Sequence, residues 1–174
     1  MKEKYLIVVD VQNDFIDGAL AAHNAKVIVE NIIKKVENFK GKIIITMDTH
    51  YNDYENTQEG KLLQIKHCIK NTKGWKLYDK LGTISKDKKI KIYEKNYFSS
   101  LELAKDLKKN IDKISEIEII GICTDICVLS NAILLKSFLP EIPIFIDECC
   151  CAGTSEENHL SAIKILKGCQ ILVR

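Results

Sequence analysis

Tyr5-Leu6-Ile7-Val8-Val9-Asp10 is an unbroken apolar run closed by a carboxylate, and Lys42-Ile43-Ile44-Ile45-Thr46-Met47-Asp48 repeats the arrangement. A strand with one wet face alternates apolar and polar residues. A run that is apolar throughout predicts a strand covered on both faces, as in parallel sheets. Further strands are predicted at Ile90 to Glu94, Ile117 to Ile122, Ile142 to Ile146 and Gln170 to Val173. Helical spacing falls between them. Ile28, Ile32, Val36 and Phe39 line one face, with Gly41 placed to end that helix. Ser99 with Glu102, and Thr154 with Glu157, read as capping boxes. The segment from Cys127 to Leu139 is apolar on most sides and stops before Pro140, and Gly168 closes the last helix. The stretch from Thr49 to about Lys89 has no clear period and exceeds ordinary loop length, which marks it as functional. The order predicts an α/β fold: three α/β/α layers around a mainly parallel, roughly six-stranded, Rossmann-like sheet with right-handed crossovers.

No repeat, low-complexity tract or linker interrupts the 174 residues, so one domain is expected over 1–174. The chain has seven cysteines, an odd number that cannot pair completely. The start, Met1-Lys2-Glu3-Lys4-Tyr5-Leu6, lacks the pattern of a secretory leader, so reduced thiols in a cytoplasm are expected. No apolar run is long enough for a transmembrane helix, so no membrane partner is expected. The net charge is only +2 and Arg174 is the single arginine, which argues against nucleic-acid recognition. Lys86-Asp87-Lys88-Lys89 reads as a solvated turn.

In an open parallel sheet, ligands bind at the carboxyl ends of the strands. Those ends carry Asp10; Asp48 with His50 two residues on; Glu94-Lys95; and Gly121-Ile122-Cys123-Thr124-Asp125-Ile126-Cys127. Cys127 stands at a predicted helix start, where free N–H groups and the macrodipole favour a thiolate and a developing oxyanion. The competing reading is a small buried hydrophobe. Asp48, His50, Glu59 and His67 form a metal-ligand candidate, since nitrogen and carboxylate ligands suit zinc, iron or manganese. Polar loop residues without a metal are the alternative.

At these residues the chain resembles the cysteine hydrolases of the isochorismatase-like superfamily, and within it the nicotinamidases. Val8-Val9-Asp10-Val11-Gln12-Asn13-Asp14-Phe15 is similar to the first motif of that family, and Gly121 to Val128 to its nucleophile motif, with Lys95 between them. The resemblance implies Cys127 as nucleophile, Asp10 as general base and Lys95 as third member of the triad. It implies a cis peptide at Ile122–Cys123 and an oxyanion hole from the N–H groups of Cys123 and Cys127. It implies a divalent metal, zinc first and iron or manganese otherwise, on Asp48, His50 and His67 with Glu59 as fourth ligand. The resemblance also implies nicotinamide as small-molecule substrate and a homo-oligomer. Gln64 stands where nicotinamidases usually carry a ring-stacking aromatic, and Ile65-Lys66 where they carry prolines. Phe15 is then the ring-packing candidate, with Tyr97 or Trp75 in support. A family hydrolase acting on another amide or ureido compound is the alternative. Of the remaining cysteines, Cys149, Cys150 and Cys151 at the end of the fifth strand read as packing residues, and Cys169 as structural.

Overall fold

The computed structural model describes residues 2–174; Met1, part of the expected 1–174 domain, lies outside the described residues. Strands β1 (Glu3–Val9), β2 (Lys42–Asp48), β3 (Lys91–Lys95), β4 (Ile114–Ile122), β5 (Ile144–Ala152) and β6 (Leu172–Val173) form one sheet in the order β3-β2-β1-β4-β5-β6. Every neighbouring pair is parallel. Helices α1 (Asn13–Ile16), α2 (Ala25–Asn38), α3 (Gln58–Leu62), α4 (Lys80–Asp87), α5 (Leu101–Lys109), α6 (Leu129–Phe138) and α7 (Glu156–Gly168) connect them. Among the described residues, no helix is long and apolar enough to cross a membrane.

The apolar strand runs do what their pattern dictates. Alternate residues of β1 enter opposite cores: Tyr5, Ile7 and Val9 pack with Leu103, Ala132, Leu135 and Ile163 of α5, α6 and α7. Leu6 and Val8 pack with Ile28, Ile32 and Val36 of α2 and Leu81 of α4. Three layers result because helices cover both faces of the central strands.

From β1 the chain steps outward to β2 and β3, then returns to lay β4 on the other side of β1. The strand order therefore reverses between β1 and β4. A crevice opens at such a reversal, at the carboxyl ends of the two strands.

Several expectations shift. The stretch from Thr49 to Lys89 contains α3, α4 and a single 3-10 turn at Tyr54–Asn56. A crossover is required there because β2 and β3 run parallel. The helix was hidden because Gly82, Thr83 and Ser85 dilute the apolar stripe of α4 to Leu81 and Ile84. Helix α2 ends at Asn38, not at Gly41. Gly41 instead marks a close approach: a Cβ there would lie 2.3 Å from the Lys4 carbonyl oxygen. Both predicted caps are displaced by one residue. Ser100 and Ser155 accept the N–H groups of Leu103 and Asn158. The Thr154 hydroxyl is used elsewhere, donating to Asp125 Oδ2 and accepting from Asn158 Nδ2. Strand β5 begins two residues later than expected and runs on through Cys149–Cys151. Cys150 and Cys151 enter opposite cores, whereas Cys149 and Cys169 are exposed and pack into neither.

Candidate active site

Asp10 follows β1 directly, with φ at +51°, a left-handed conformation that Asp tolerates better than most residues. It is fully buried. Thr46 Oγ1 donates to its Oδ1 at 2.6 Å. Its Oδ2 lies 2.6 Å from Lys95 Nζ, a close ion pair oriented outside hydrogen-bond geometry. Lys95 is the last residue of β3, and it reaches across the end of β2 toward β1. Its ammonium lies 3.7 Å from Cys127 Sγ and 3.6 Å from Asp48 Oδ1.

Cys127 sits in a π turn, Thr124–Val128, that leads into α6. The preceding peptide Ile122–Cys123 is cis. Gly121 makes this entry feasible: its φ is +125°, and a Cβ would lie 2.1 Å from the Val9 carbonyl oxygen. Buried Asn131 braces the turn. Its Nδ2 donates to the carbonyls of Cys127 (2.8 Å) and Phe98 (3.1 Å), and its Oδ1 accepts from Ser100 N (3.0 Å).

Burial sets the charge balance. It pushes the Cys127 thiol up, opposed by Lys95 and reinforced by Asp10 and Asp48. A lowered thiol, expected from the helix start, is not what this burial gives: desolvation raises Cys127 by more than the Lys95 charge lowers it. Burial likewise raises Asp10, against the pull of the Lys95 charge. Burial works against the Lys95 ammonium too, but Asp10, Cys127 and Asp48 together hold it charged.

Beside this group, Asp48, His50 and His67 offer ligand atoms within 4.8 Å of one another, all buried. Asp48 Oδ2 lies 3.1 Å from His50 Nε2 and 3.4 Å from His67 Nε2. Glu59 Oε1 closes the cluster at 3.7 and 3.5 Å from the same nitrogens. Burial raises the Asp48 carboxyl, but contacts with the histidines and the Lys95 charge outweigh it and hold it well below the usual range. His67 Nδ1 pairs with the Ile65 carbonyl at 2.9 Å, leaving Nε2 turned into the cluster. A buried imidazole fixed by a carbonyl on its far nitrogen is the usual state of a metal-ligating histidine. The donor set fits a divalent transition metal.

The structure brings Asp10, Lys95, Cys127, Asp48, His50, Glu59 and His67 into one cluster of mutual contacts. Phe15 is buried with its ring 5.7 Å from that of His67. Tyr97 stands apart at 71% exposure, and Gln64 is exposed. Trp75 Nε1 donates to Thr49 Oγ1 at 2.9 Å. Gln12, Asn131 and Tyr54 were not foreseen. Tyr54 packs edge-on against both histidines. The Asp10-to-Phe15 motif was itself a signal for Gln12; Asn131 and Tyr54 had none.

Fold and site define an α/β protein with a thiol, a carboxylate and an ammonium clustered beside a candidate metal centre. The isochorismatase domain matches residues 4–173, and the chain belongs to that family. It is 28% identical to the nicotinamidase of Saccharomyces cerevisiae, over 75% of this chain and 80% of that protein. It is similar to the crystal structure of a nicotinamidase/pyrazinamidase from Bacillus subtilis, with 28% identity, TM-score 0.86 and 99% of each chain covered. A pyrazinamidase of Pyrococcus horikoshii in complex with zinc gives TM-score 0.84 at 25% identity, covering 99% of this chain and 98% of that one. These likenesses make the protein an amidohydrolase.

Proposed function

We propose that the protein hydrolyses nicotinamide to nicotinate and ammonia through a thioester on Cys127. The observation that carries this reading is the position of the Lys95 ammonium, 2.6 Å from Asp10, 3.7 Å from Cys127 and 3.6 Å from an Asp48 whose other oxygen faces two histidines. Asp48, His50, His67 and Glu59 would hold a divalent cation, zinc first and iron or manganese otherwise. Bound there, the cation supplies a Lewis-acidic contact for the ring nitrogen of the substrate.

The chain's own groups perform the covalent chemistry. Burial makes Asp10 a stronger base than an exposed carboxylate, and it takes the proton of Cys127. The thiolate attacks the carboxamide carbon, and the N–H groups of Cys123 and Cys127 receive the oxyanion. The C–N bond breaks as Asp10 returns its proton to the leaving nitrogen, and ammonia departs. Asp10 then takes a proton from water, the hydroxide displaces the Cys127 thiolate from the acyl carbon, and Asp10 returns its proton to Sγ as the acid leaves. Lys95 keeps the two acidic groups in register throughout. Phe15 packs against the ring; Tyr97 would reach it only by swinging inward.

The test is ammonia release from nicotinamide by the purified protein, with and without chelator. Cys127→Ala should abolish release while metal stays bound; activity in that variant removes the nucleophile assignment. No release with added zinc, iron or manganese removes the substrate. A second reading, another small amide or ureido substrate, is favoured by the exposure of Gln64 at the usual stacking position. A panel of aliphatic amides and ureido acids separates the two. The expected homo-oligomer is checked by light scattering.

A further inference from the structure

We propose that Gln12 is a positioning residue that fixes the peptide groups on both sides of Asp48 and thereby sets the metal affinity of the site. The inference rests on the metal reading above.

Gln12 is two residues past Asp10 and fully buried. Every polar function of its amide is used. Nε2 donates to the carbonyls of Asp48 and Trp75, each at 2.8 Å, and Oε1 accepts the Asp48 N–H at 2.7 Å. A side chain that pairs with both the N–H and the C=O of one residue does what a neighbouring strand would do. Asp48 needs such a neighbour. On its β3 side it is in register with Lys95, and the next residue's N–H bonds to the Lys95 carbonyl at 2.7 Å. On its β1 side the strand register ends at Val9 with Thr46. The Gln12 amide extends the pairing past that end.

Asp48 has little freedom to spare. One carboxylate oxygen lies 3.6 Å from Lys95, and the other 3.1 and 3.4 Å from the two histidine nitrogens. A rotation of its backbone would disturb both relations together. The same amide holds the carbonyl of Trp75, whose indole N–H is tied to Thr49. One side chain thus registers the first motif, the end of β2 and the loop beyond α3.

The experiment compares zinc affinity of the full chain by competition with a chromophoric chelator, and the visible spectrum of the cobalt(II)-loaded protein. Gln12→Met keeps the volume and leaves the Asp48 N–H and C=O without partners. Gln12→Glu keeps the acceptor for Asp48 N–H but loses both donors, and its near-isosteric shape keeps the test available if the methionine variant does not fold. Each should weaken zinc binding by roughly 10- to 100-fold, change the cobalt spectrum, and regain turnover with excess zinc. Ile32→Ala, in the α2 core away from the site, should lower the melting temperature and leave zinc affinity and spectrum unchanged. Folded Gln12 variants with wild-type zinc affinity and cobalt spectrum overturn the assignment while the metal reading stands. A wild-type protein that binds zinc no better than His67→Ala removes the metal reading and the assignment with it.

Discussion

Lys95→Met removes the one positive charge shared by Asp10, Cys127 and Asp48 while keeping most of the apolar stem. At 3.7 Å and an effective dielectric of about 20, the ammonium stabilises a Cys127 thiolate by roughly 4–5 kcal/mol, or about three pKa units. Asp10, at 2.6 Å, loses a larger attraction, and its burial then favours the protonated acid. Nucleophile and base fail together, so kcat/KM should fall by about a thousandfold or more. Removing one partner of a buried pair should also cost about 3–5 kcal/mol of stability, less where Asp10 takes up a proton. The double variant Lys95→Met/Asp10→Asn should therefore recover stability but no activity. The assay is ammonia release across pH 5–9, paired with urea unfolding of each variant. A Lys95→Met enzyme within tenfold of wild type, with an unchanged pH profile, would refute the electrostatic role.

Gly121→Ala should be far more damaging than an ordinary surface change, since its Cβ would lie 2.1 Å from the Val9 carbonyl oxygen at φ +125°; loss of soluble expression, or a melting temperature near wild type, decides. Ser155→Ala removes the cap accepting Asn158 N–H and should cost about 1 kcal/mol by urea unfolding, with turnover unchanged. Burial pushes the Cys123 and Cys150 thiols up to about 12. Groups raised by folding contribute stability that is complete below their unfolded value, near 9, and is lost as pH rises through the folded value. The melting temperature should fall across pH 9–12, and Cys150→Ala should flatten that fall; an equal slope in both proteins would refute the linkage.

The strands were legible because burial on both faces leaves short apolar runs of strand length, rich in β-branched residues, that a half-wet strand does not imitate. The candidate site was legible for a related reason: parallel strands deliver all their carboxyl ends to one edge, so Asp10, Asp48, Lys95 and Cys127 converge whatever the loops do. What the sequence hid is aperiodic. The Gln12 amide bonds to residues 36 and 63 positions away, and no spacing announces such a partner. The caps were displaced because Ser99-Ser100 and Thr154-Ser155 each offer two adjacent hydroxyls, and the choice depends on Asn131 and Asp125 across the fold. The raised thiol of Cys127 was hidden because desolvation depends on what covers the turn.

The division of Asp48 joins the two halves of the crevice. One oxygen belongs to the Lys95 charge and the other to the histidines, so neither half can change without the other. A chain that kept Asp48 but lost His50 and His67 would leave Lys95 facing two buried carboxylates and a thiol alone. Uncompensated buried charge is resolved by protonation, and burial has already raised Asp10 toward that outcome. Loss of the histidines should therefore leave Asp10 protonated more of the time, and so unavailable to Cys127, besides removing the cation site. Metal-ligand variants would then lower turnover even for an amide that makes no contact with the metal.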